Sequence, residues 1–483
     1  MATSPQQTLV MDLDGTLIRS DTTHELLVLC LRWQPFLLPL AILKLLKRRS
    51  AGKRWLVERF GHHIDPKDLP YEQNALSLVH QFRENNQEVW LVSGADDQIV
   101  KSIASHLGVF ARAQGSTTEV NLTAANKTSF LTKHLSGDFA YAGNSTHDID
   151  VWKSADRGYG FNAPSAAYAL RAKNDAPKVT EVIARKSSLP YLRKTMRLHQ
   201  WMKNILIFVV PGLMLSTLTI ANYLELLGAF ICFGFMASGT YILNDLFDIP
   251  DDRKHATKKL RQIAAGNLSV PLASFALLAL ISSSVIGAFL LDEMFGWMLI
   301  LYALTTIAYS FRLKRLPVID VFVLSALFTI RVWAGAFIVD APPSAWLTLF
   351  IGLVFLSLAL AKRYVEISKL SQRRSVSGRG YQAGDEPMVL AFGSAAANAA
   401  VISLAIYGLL APSRLIDNPT IMTILAAIVA GWFMRIWLVA VRGQLNDDPV
   451  LFAVKDKVSL LCLFAAALLV ASESLRPIWI QWF

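Results

Sequence analysis

Residues 244–252 read Asn244-Asp245-Leu246-Phe247-Asp248-Ile249-Pro250-Asp251-Asp252, which places four aspartates directly after a long apolar run. A charge at the centre of a membrane helix costs about 2.5–3.5 kcal/mol on insertion scales, so acids clustered at a membrane boundary require a partner. Asp245, Asp248 and Asp252 are spaced i, i+3 and i+7, which places them on one helical face. Carboxylates on one face repel each other unless a cation lies between them, and Mg²⁺ with few protein ligands commonly holds a pyrophosphate. The stretch therefore predicts a Mg²⁺–diphosphate site at a membrane edge.

The composition divides the chain into a soluble first part and an apolar remainder. Of 483 residues, 53% are hydrophobic and 17% are charged. Residues 1 to about 185 are typical of a soluble domain, and residues from about 203 onward are typical of a membrane protein. The net charge of +11 comes largely from short basic loops between apolar runs, which favours anionic lipid and phosphorylated substrates over nucleic acid. Cys30, Cys232 and Cys462 are far apart, which argues against a disulfide framework or a zinc site.

Nine apolar runs have the length, about 17–25 residues, that crosses a bilayer. They lie near 203–220, 222–243, 271–291, 294–311, 318–338, 345–364, 388–410, 419–440 and 457–472. The loops between them alternate between a basic set, near 253–261, 312–315, 362–379 and 442–457, and a set with almost no charge beyond Arg414 and Arg476. The positive-inside rule places the basic set in the cytoplasm. We therefore expect a cytoplasmic N-terminal domain, an external C-terminus and a location in the bacterial inner or plasma membrane.

Charged residues also occur inside the predicted spans. Lys203, taken alone, is more typical of a lysine that snorkels to the interface than of a catalytic group. Asp320 and Arg331 are eleven residues apart in the fifth span, three helical turns, so they share a face. Arg331 lies near the middle of that span, where a charge indicates a functional group or a structural ion pair.

These patterns resemble the UbiA-type intramembrane prenyltransferase superfamily, whose first motif, NDxxDxxxD, matches Asn244, Asp245, Asp248 and Asp252. Further segments resemble the decaprenyl-phosphate phosphoribosyltransferase branch of that superfamily. They are Arg197–Asn204 (RLHQWMKN), Asp252–Arg261 (DRKHATKKLR) with Ile263–Gly266, Tyr309-Ser310 with Leu313-Lys314, and Ala361–Tyr364 with Glu366. This resemblance covers roughly residues 190–483 and implies transfer of 5-phosphoribose from phosphoribosyl pyrophosphate to a polyprenyl phosphate.

The resemblance implies that Mg²⁺ on Asn244, Asp245, Asp248 and Asp252 anchors the pyrophosphate of the donor. The residues expected to contact substrate are Arg197, Lys203, Lys258, Arg261, Tyr309, Lys314, Asp320, Arg331, Lys362 and Arg363. For His255, a hydrogen bond to phosphate and a position at a helix end are equally weighted alternatives. Two features depart from the wider superfamily. The second acidic motif keeps Asp320 but has Leu324 four residues later. Pro250 interrupts the first motif and predicts a kink that takes Asp252 out of register with Asp245.

The soluble part contains short apolar strands that end in polar residues. Residues 8–17 read TLVMDLDGTL, so a strand ends in Asp12-x-Asp14-Gly-Thr. Strands near 88–92 and 139–142 lead into Ser93-Gly94 and Gly143-Asn144, and Asp148 follows Asn144 by four residues. Open α/β sheets place their sites at the carboxyl ends of parallel strands, so these side chains are expected to converge.

This part, residues 1–185, resembles a haloacid-dehalogenase-type phosphatase with a Rossmann-like α/β fold. The resemblance implies that Asp12 is the nucleophile, Asp14 the general acid/base, and Ser93 and Lys127 the phosphate-binding residues. Mg²⁺ would be held by Asp12, the Asp14 carbonyl and Asp148, with Asn144 at a position where the family more often has an acid. An inactive regulatory fold is the alternative.

A helical cap is expected over residues 22–80 and a linker over 160–190, where Pro164, Pro177 and Pro190 occur among polar residues. The apolar run from Glu25 to Leu46 is interrupted by charge and proline, and a crossing there would divide one sheet across the membrane. We interpret it as cap helices that lie at the lipid surface.

The resulting hypothesis is a bifunctional membrane enzyme, with an N-terminal α/β phosphatase domain and an all-α transferase domain over residues 190–483. The phosphatase would remove the 5-phosphate from the transferase product and so give polyprenyl-phosphoryl ribose. The alternative is a prenyltransferase that acts on an aromatic acceptor and carries an inactive phosphatase-like domain.

Overall fold

The computed structural model describes residues 7–135, 138–172, 175–184, 187–369, 380–410, 418–445 and 449–474. The chain packs as two compact units, one formed by Met1–Met196 with Tyr241–Leu277 and the other by Arg197–Thr240 with Leu278–Phe483. The acidic stretch that follows residue 243 therefore packs in the same unit as the N-terminal domain. The basic residues predicted within 370–379, and Arg414 and Arg476, lie outside the described residues.

The N-terminal domain is built on a six-stranded parallel sheet with strand order β3-β2-β1-β4-β5-β6. The strands are β1 Thr8–Met11, β2 Val89–Asp96, β3 Arg112–Ser116, β4 Phe139–Gly143, β5 Arg157–Phe161 and β6 Val179–Ile183. Leu9, Val10 and Met11 are all fully buried, as expected for a central strand covered on both faces by helices. The predicted parallel α/β fold is confirmed.

Helices cover this sheet and build the cap region. They are α1 Thr22–Trp33, α2 Leu38–Lys47, α3 Arg49–Phe60, α4 Gln73–Glu84, α5 Asp97–Leu107, α6 Ala124–His134, α7 Ile149–Ser154, α8 Ser165–Tyr168 and α9 Leu189–Thr195. The apolar run from Glu25 to Leu46 divides into α1 and α2 across a 3-10 turn, Pro35–Leu37, so it does not form one long helix. The range predicted as a linker contains α8 and β6, and β6 pairs with β5 at the edge of the sheet.

The remaining chain is helical. Its helices are α10 Ile220–Phe247, α11 Ile249–Lys254, α12 Val270–Leu291, α13 Glu293–Phe311, α14 Ile319–Ile338, α15 Ala345–Ser368, α16 Glu386–Leu410, α17 Pro419–Val441, α18 Pro449–Lys455 and α19 Lys457–Ser474. Among the described residues, seven helices are long and apolar enough to cross a membrane: α10 and α12 through α17. The chain is an integral membrane protein, and seven of the nine predicted spans are candidate spans within the described residues.

The two runs that are not among the seven differ in kind. The last, near 457–472, is the helix α19. An α-helix over 203–220 was a wrong prediction, because a 3-10 helix runs over Leu198–Phe208 and a second over Pro211–Leu213. This segment packs closely on α14, where a Cβ on Gly335 would lie 1.8 Å from the Ile207 carbonyl oxygen. Pro211 then lacks the amide that a continuing α-helix would need.

Candidate active sites

The carboxyl edge of the parallel sheet carries a cavity of about 520 Å³. Its wall contains Asp12, just after β1, Ser93 from β2, and Asp148, which follows β4. Lys127 reaches the same cavity from α6. The structure thus brings together the four residues that the sequence placed at separate strand and helix ends.

Lys127 lies between two carboxylates. Its Nζ donates to Asp12 Oδ1 at 2.8 Å and lies 3.5 Å from Asp148 Oδ1. Burial raises the pKa of Asp12 although Lys127 opposes this shift. Burial alone would lower the pKa of Lys127, but Asp12 and Asp148 together raise it above its ordinary value. The lysine is therefore a fixed positive charge beside Asp12.

Asp148 is held by a dense set of donors. Tyr141 Oη donates to its Oδ1 at 2.5 Å, and the Ser145 amide and hydroxyl donate to its Oδ2 at 2.9 and 2.8 Å. The Asn144 amide donates to the same oxygen at 3.1 Å. Burial would raise the pKa of Asp148, but Lys127 and these hydrogen bonds lower it. Asp148 is thus an oriented carboxylate at the side of the cavity.

Asp14 lies two residues after Asp12 and is held by the start of the cap. The Thr22 amide donates to Asp14 Oδ1 at 2.9 Å, and the Thr22 hydroxyl to Oδ2 at 3.3 Å. Burial, and then the nearby Asp21, raise the pKa of Asp14 well above its ordinary value. The first residue of α1 therefore fixes the side chain predicted to be the general acid/base.

Sequence reasoning missed the basic residues that the cap contributes. Arg49 and Lys53, both on α3, line the cavity, and Lys53 Nζ donates to the Gly94 carbonyl at 2.5 Å. Burial lowers the pKa of Lys53, although Asp14 and Asp21 oppose this shift. The cluster Lys44–Lys53 was visible in the sequence, but only the fold shows that two of its members face Asp12.

The donors at this site suit a hard cation. Asp12 and Asp148 are buried carboxylates that share one ammonium, and the Asn144 side chain lines the same cavity. Within the described residues no group of three His, Cys, Asp or Glu side chains forms a metal site, so two carboxylates with amide or backbone oxygens are the fitting set. Mg²⁺ prefers such oxygen ligands and keeps several waters.

Asp245 and Asp252 of the acidic stretch both contact the same arginine, Arg261. Arg261 Nη1 lies 3.3 Å from Asp245 Oδ1 and 2.8 Å from Asp252 Oδ2. α10 ends at Phe247 and α11 begins at Ile249, so the helix is interrupted where Pro250 predicted a kink, although the Asp252 amide donates to the Asp248 carbonyl at 2.7 Å. Pro250 lies in the first turn of α11, where no amide is needed, and Asp245 and Asp252 both contact Arg261 across the interruption.

The electrostatics of this stretch also indicate a cation site. Burial raises the pKa of Asp252 to about 6, although Arg261 opposes the shift and Asp245 and Asp248 add to it. The oxygens of Asp245 and Asp252 are already directed at a common cationic group, and Asp248 and Asn244 are half-buried beside them. The donor set fits Mg²⁺, whereas Arg261 neutralises the acids in this arrangement.

A second set of contacts, which no sequence pattern indicates, joins α1 to the acidic stretch. Arg253 forms a bidentate pair with Glu25, with N–O distances of 2.9 and 2.6 Å. Arg32, near the end of α1, donates to the Phe247 carbonyl at 2.6 Å and to Asp251 at 2.8 Å. Arg253 thus belongs to a buried ion pair.

The second acidic position is a closed network in the helical region. Asp320 and Arg363 are fully buried, and Arg363 Nε donates to Asp320 Oδ2 at 2.6 Å. Tyr381 Oη donates to Asp320 Oδ1 at 2.8 Å, and Arg363 also binds Glu366 and donates to Tyr309 Oη at 3.2 Å. Asp320 therefore pairs with Arg363 and not with Arg331, its expected neighbour on the helix.

Arg331 is held by neutral acceptors and aromatic rings. It donates to Asn204 Oδ1 at 3.1 Å, to the Leu327 carbonyl at 2.5 Å and to Tyr302 Oη at 2.9 Å. Its guanidinium also lies 4.6 Å from the centroid of the Tyr302 ring. Hydrogen bonds and a cation–π contact thus stabilise the buried charge of Arg331.

The other predicted substrate residues are distributed over several elements. Arg197 has a left-handed backbone, φ 52°, at the start of the 3-10 segment, and Lys203 Nζ lies 5.9 Å from the centroid of the Phe328 ring. Lys258 and His255 are exposed after α11, while Lys314 and Lys362 are half-buried. Of the predicted residues, the described contacts thus assemble Asp245, Asp252 and Arg261 in one place and Tyr309, Asp320 and Arg363 in another.

Comparisons with known proteins agree with the resemblance over most of the chain. Residues 205–474 match the UbiA prenyltransferase family. The chain is 37% identical over 456 residues to an uncharacterized protein, y4nM, of Sinorhizobium fredii, covering 93% of this chain and 88% of that protein. It is 31% identical over 283 residues to decaprenyl-phosphate phosphoribosyltransferase of Mycolicibacterium smegmatis, covering 55% of this chain and 87% of that protein.

Among solved structures, a UbiA homologue from Archaeoglobus fulgidus bound to GPP and Mg²⁺ is similar at a TM-score of 0.45 and 17% identity, covering 59% of this chain and 99% of that chain. The family match takes in the acidic stretch, the buried network around Asp320 and every candidate span. The chain belongs to the UbiA prenyltransferase family.

Proposed function

We propose that the chain transfers 5-phosphoribose from phosphoribosyl pyrophosphate to a polyprenyl phosphate and then removes the 5-phosphate. The observation that carries the proposal is the presence of two separate acidic sites, Asp12 with Asp148 and Asp245 with Asp252, each beside a fixed cationic side chain. Mg²⁺ bound at such sites neutralises phosphoryl oxygens and favours departure of the leaving group.

In the transfer step, a lipid phosphate oxygen bonds to the anomeric carbon of ribose as the bond from that carbon to pyrophosphate breaks. Asp245, Asp248 and Asp252, with Asn244 beside them, would hold the cation that neutralises the pyrophosphate of the donor. Lys258 and Arg261 offset charge on the departing pyrophosphate. Support for a sugar donor comes from Asp320, which is fully buried and already bound to Arg363 and Tyr381.

In the hydrolytic step, Asp12 Oδ bonds to the 5-phosphorus as the bond from phosphorus to the ribose oxygen breaks. Asp14 gives a proton to that oxygen, and Lys127 and Ser93 hold the phosphoryl oxygens. Water then attacks the phosphoaspartyl group and transfers its proton to Asp14, which releases inorganic phosphate. The closeness of Lys127 to Asp12, 2.8 Å, supports this role, because it stabilises the negative charge of the nucleophile and phosphate.

A lipid-borne substrate is supported by the surface of the cap. Phe36 is 95% exposed and Leu46 79% exposed, and α2 is followed by Arg48 and Arg49. Apolar side chains beside basic ones are typical of a helix that lies at a membrane surface. Ile42, Leu45 and Leu46 of the same helix line the cavity of Asp12, so this cavity adjoins the exposed apolar surface.

Mass spectrometry of the lipid product tests this function, with the full chain in nanodiscs supplied with phosphoribosyl pyrophosphate and polyprenyl phosphate. The wild type is expected to form polyprenyl-phosphoryl ribose and to release pyrophosphate and phosphate. Asp245→Ala is expected to form no lipid-linked sugar, whereas Asp251→Ala, a change at an exposed neighbour, retains it. Consumption of a prenyl diphosphate with an aromatic acceptor, and no use of phosphoribosyl pyrophosphate, would refute the proposal.

A further inference from the structure

A second cavity, of about 370 Å³, adjoins the cavity of Asp12. The two cavities share four wall residues, Asp14, Asp21, His24 and Asn144. Asp14 therefore faces both spaces. A substrate that extends through both would pass directly beside the group that exchanges protons in the hydrolytic step.

The far wall of the second cavity comes from the segment after the acidic stretch. Ile263 and Leu268 are buried there, and Ser269, Val270 and Pro271 lie where the candidate span α12 begins. This wall is therefore apolar and continues into a helix that is itself apolar enough to enter the membrane.

Close packing fixes this wall against the phosphatase loop. Gly266 has φ 72°, and a Cβ on it would lie 2.5 Å from the Cβ of Arg19. The ion pair between Glu25 and Arg253, with a 2.6 Å contact, adds a second attachment, because Glu25 also lines the second cavity. Two independent contacts thus join the Asp14 side of the cavity to the wall from residues 263–271.

The opposite wall is polar and contains an unsatisfied group. Ser20 Oγ is buried and has no hydrogen-bond partner among the described residues, and it lines this cavity together with Arg19 and Glu25. A buried hydroxyl without a partner is destabilising, so it favours a ligand with polar groups at this position. A ligand that fits both walls is polar on one side and apolar on the other.

We propose that the second cavity binds the sugar and lipid side of a lipid-linked phosphosugar, while its terminal phosphate reaches Asp12 in the first cavity. The inference rests on the proposed function and specifies its substrate: an amphiphilic phosphomonoester, held across both cavities. The sugar hydroxyls face Ser20 and Arg19, and the lipid side lies along Leu268 and Val270 toward the start of α12.

The test compares two substrates of the full chain in nanodiscs. One is the phosphorylated lipid-linked ribose, accumulated by the Asp12→Asn chain and purified, and the other is p-nitrophenyl phosphate, which is small enough for the first cavity alone. Ser269→Trp narrows the second cavity and is expected to lower the ratio of the two kcat/KM values about tenfold or more. The matched change Ser282→Trp, on an exposed part of α12 away from the cavity, should leave that ratio within about twofold.

An unchanged ratio in a Ser269→Trp chain that still hydrolyses p-nitrophenyl phosphate overturns the cavity inference and leaves the proposed function intact. If wild type fails to hydrolyse the lipid substrate, the proposed function itself fails. If Ser269→Trp loses both activities, the ratio is measured in Ser269→Val and Ser269→Leu, which fill the cavity in smaller steps. A graded fall supports the inference, and a flat ratio contradicts it.

Discussion

Asp12 is the residue on which the proposed hydrolytic step depends most directly. Its carboxylate faces the Lys127 ammonium in a buried setting, so a neutral amide there removes the nucleophile while it preserves the shape. We expect Asp12→Asn to lower phosphate release from the lipid product about a thousandfold or more, because a covalent nucleophile has no replacement. Phosphate release and the mass of the accumulated lipid measure this effect.

The control for that change is Asp150→Asn, at an exposed aspartate in α7 whose side chain pairs with Lys153. It should leave phosphate release unchanged. The Asp12→Asn chain should still form lipid-linked 5-phosphoribose at the wild-type rate. If the terminal product of Asp12→Asn is already free of the 5-phosphate, the phosphatase assignment is wrong.

Asp320 provides the second residue-level prediction, since its buried pair with Arg363 has the character of a structural contact. Removal of one partner of a buried ion pair destabilises a protein by about 3–5 kcal/mol, because the other charge remains uncompensated. We therefore expect Asp320→Asn to lower the thermal unfolding temperature markedly in detergent. Asp456→Asn, which breaks a partly exposed pair with Arg435, should lower it much less.

The double change Asp320→Leu with Arg363→Met separates a structural role from a metal role. Apolar replacement of both partners is often close to neutral for stability, so much of the unfolding temperature should return. If Asp320 instead binds the metal with the diphosphate, the single and double variants will unfold at about the same temperature as the wild type. Asp320→Asn alone will then abolish transfer in a stably folded protein.

The residues of the hydrolytic site were predictable because each one follows a recognisable strand or begins a helix. Asp12, Ser93, Lys127 and Asp148 occur in an order that fixes where parallel strands end, and sheet geometry then brings them together. Lys53 and the Glu25–Arg253 pair were not predictable. The latter joins residues 228 positions apart, and no local pattern records such a contact.

At the scale of elements, α1 links the two proposed sites. Its first residue, Thr22, binds Asp14, and its last turn carries Arg32, which binds Phe247 and Asp251. Glu25 lies between these points and pairs with Arg253. One helix of twelve residues thus contacts the proton-exchanging aspartate at its beginning and the acidic stretch at its end.

The neighbouring α2 gives a prediction about lipid access. Phe36 is 95% exposed and Leu43 47% exposed, and neither lines the cavity of Asp12. We expect the double change Phe36→Glu with Leu43→Glu to weaken insertion at the lipid surface and to lower hydrolysis of the lipid substrate in nanodiscs about fivefold. Hydrolysis of p-nitrophenyl phosphate should change far less.

Val120→Glu is the matched control, because Val120 is 48% exposed in the same domain but outside the cap. It should leave the hydrolysis of both substrates unchanged. If Val120→Glu and the double variant lose hydrolysis of the lipid substrate equally, the added charge alone, and not the cap surface, accounts for the effect. No loss in the double variant would exclude a membrane role for α2.

At two elements, the sequence pattern did not predict the structure in full: the helix break near Pro250 and the segment at 203–220. Pro250 predicted an interruption of the helix, and α10 does end at Phe247, but no sequence pattern showed that Arg261 contacts both Asp245 and Asp252 across it. The apolar run at 203–220 predicted an α-helix from composition alone. Close packing near Gly335, a tertiary effect, accompanies a tighter 3-10 segment instead.

For the whole molecule, the packing of the N-terminal domain bears on membrane orientation. Glu25 binds Arg253, and Arg253 follows α10 directly, so the sheet domain and the loop after α10 lie on the same side of the bilayer. The chain between them must therefore cross the membrane an even number of times. Since α10 supplies one crossing, we infer that the 3-10 segment before it supplies the other.

The length of that segment is sufficient. At a rise of about 2 Å per residue, a 3-10 path over Leu198–Leu213 spans roughly 30 Å, which is the thickness of a bilayer core. We expect the cysteines of Lys194→Cys and Lys259→Cys to lie on one side of the bilayer, and those of Thr217→Cys and Glu293→Cys to lie on the other. All four positions are exposed, and the positive-inside rule predicts that the first pair lies in the cytoplasm.

A membrane-impermeant maleimide tests this arrangement in a chain whose three native cysteines are replaced by alanine. In intact spheroplasts it should label Thr217→Cys and Glu293→Cys, and in inside-out vesicles Lys194→Cys and Lys259→Cys. Glu293 and Lys259 are separated by the single span α12, so their opposite labelling is the internal control. If Lys194→Cys and Thr217→Cys label from the same side, the 3-10 segment does not cross, and the pairing of Glu25 with Arg253 cannot persist in the membrane.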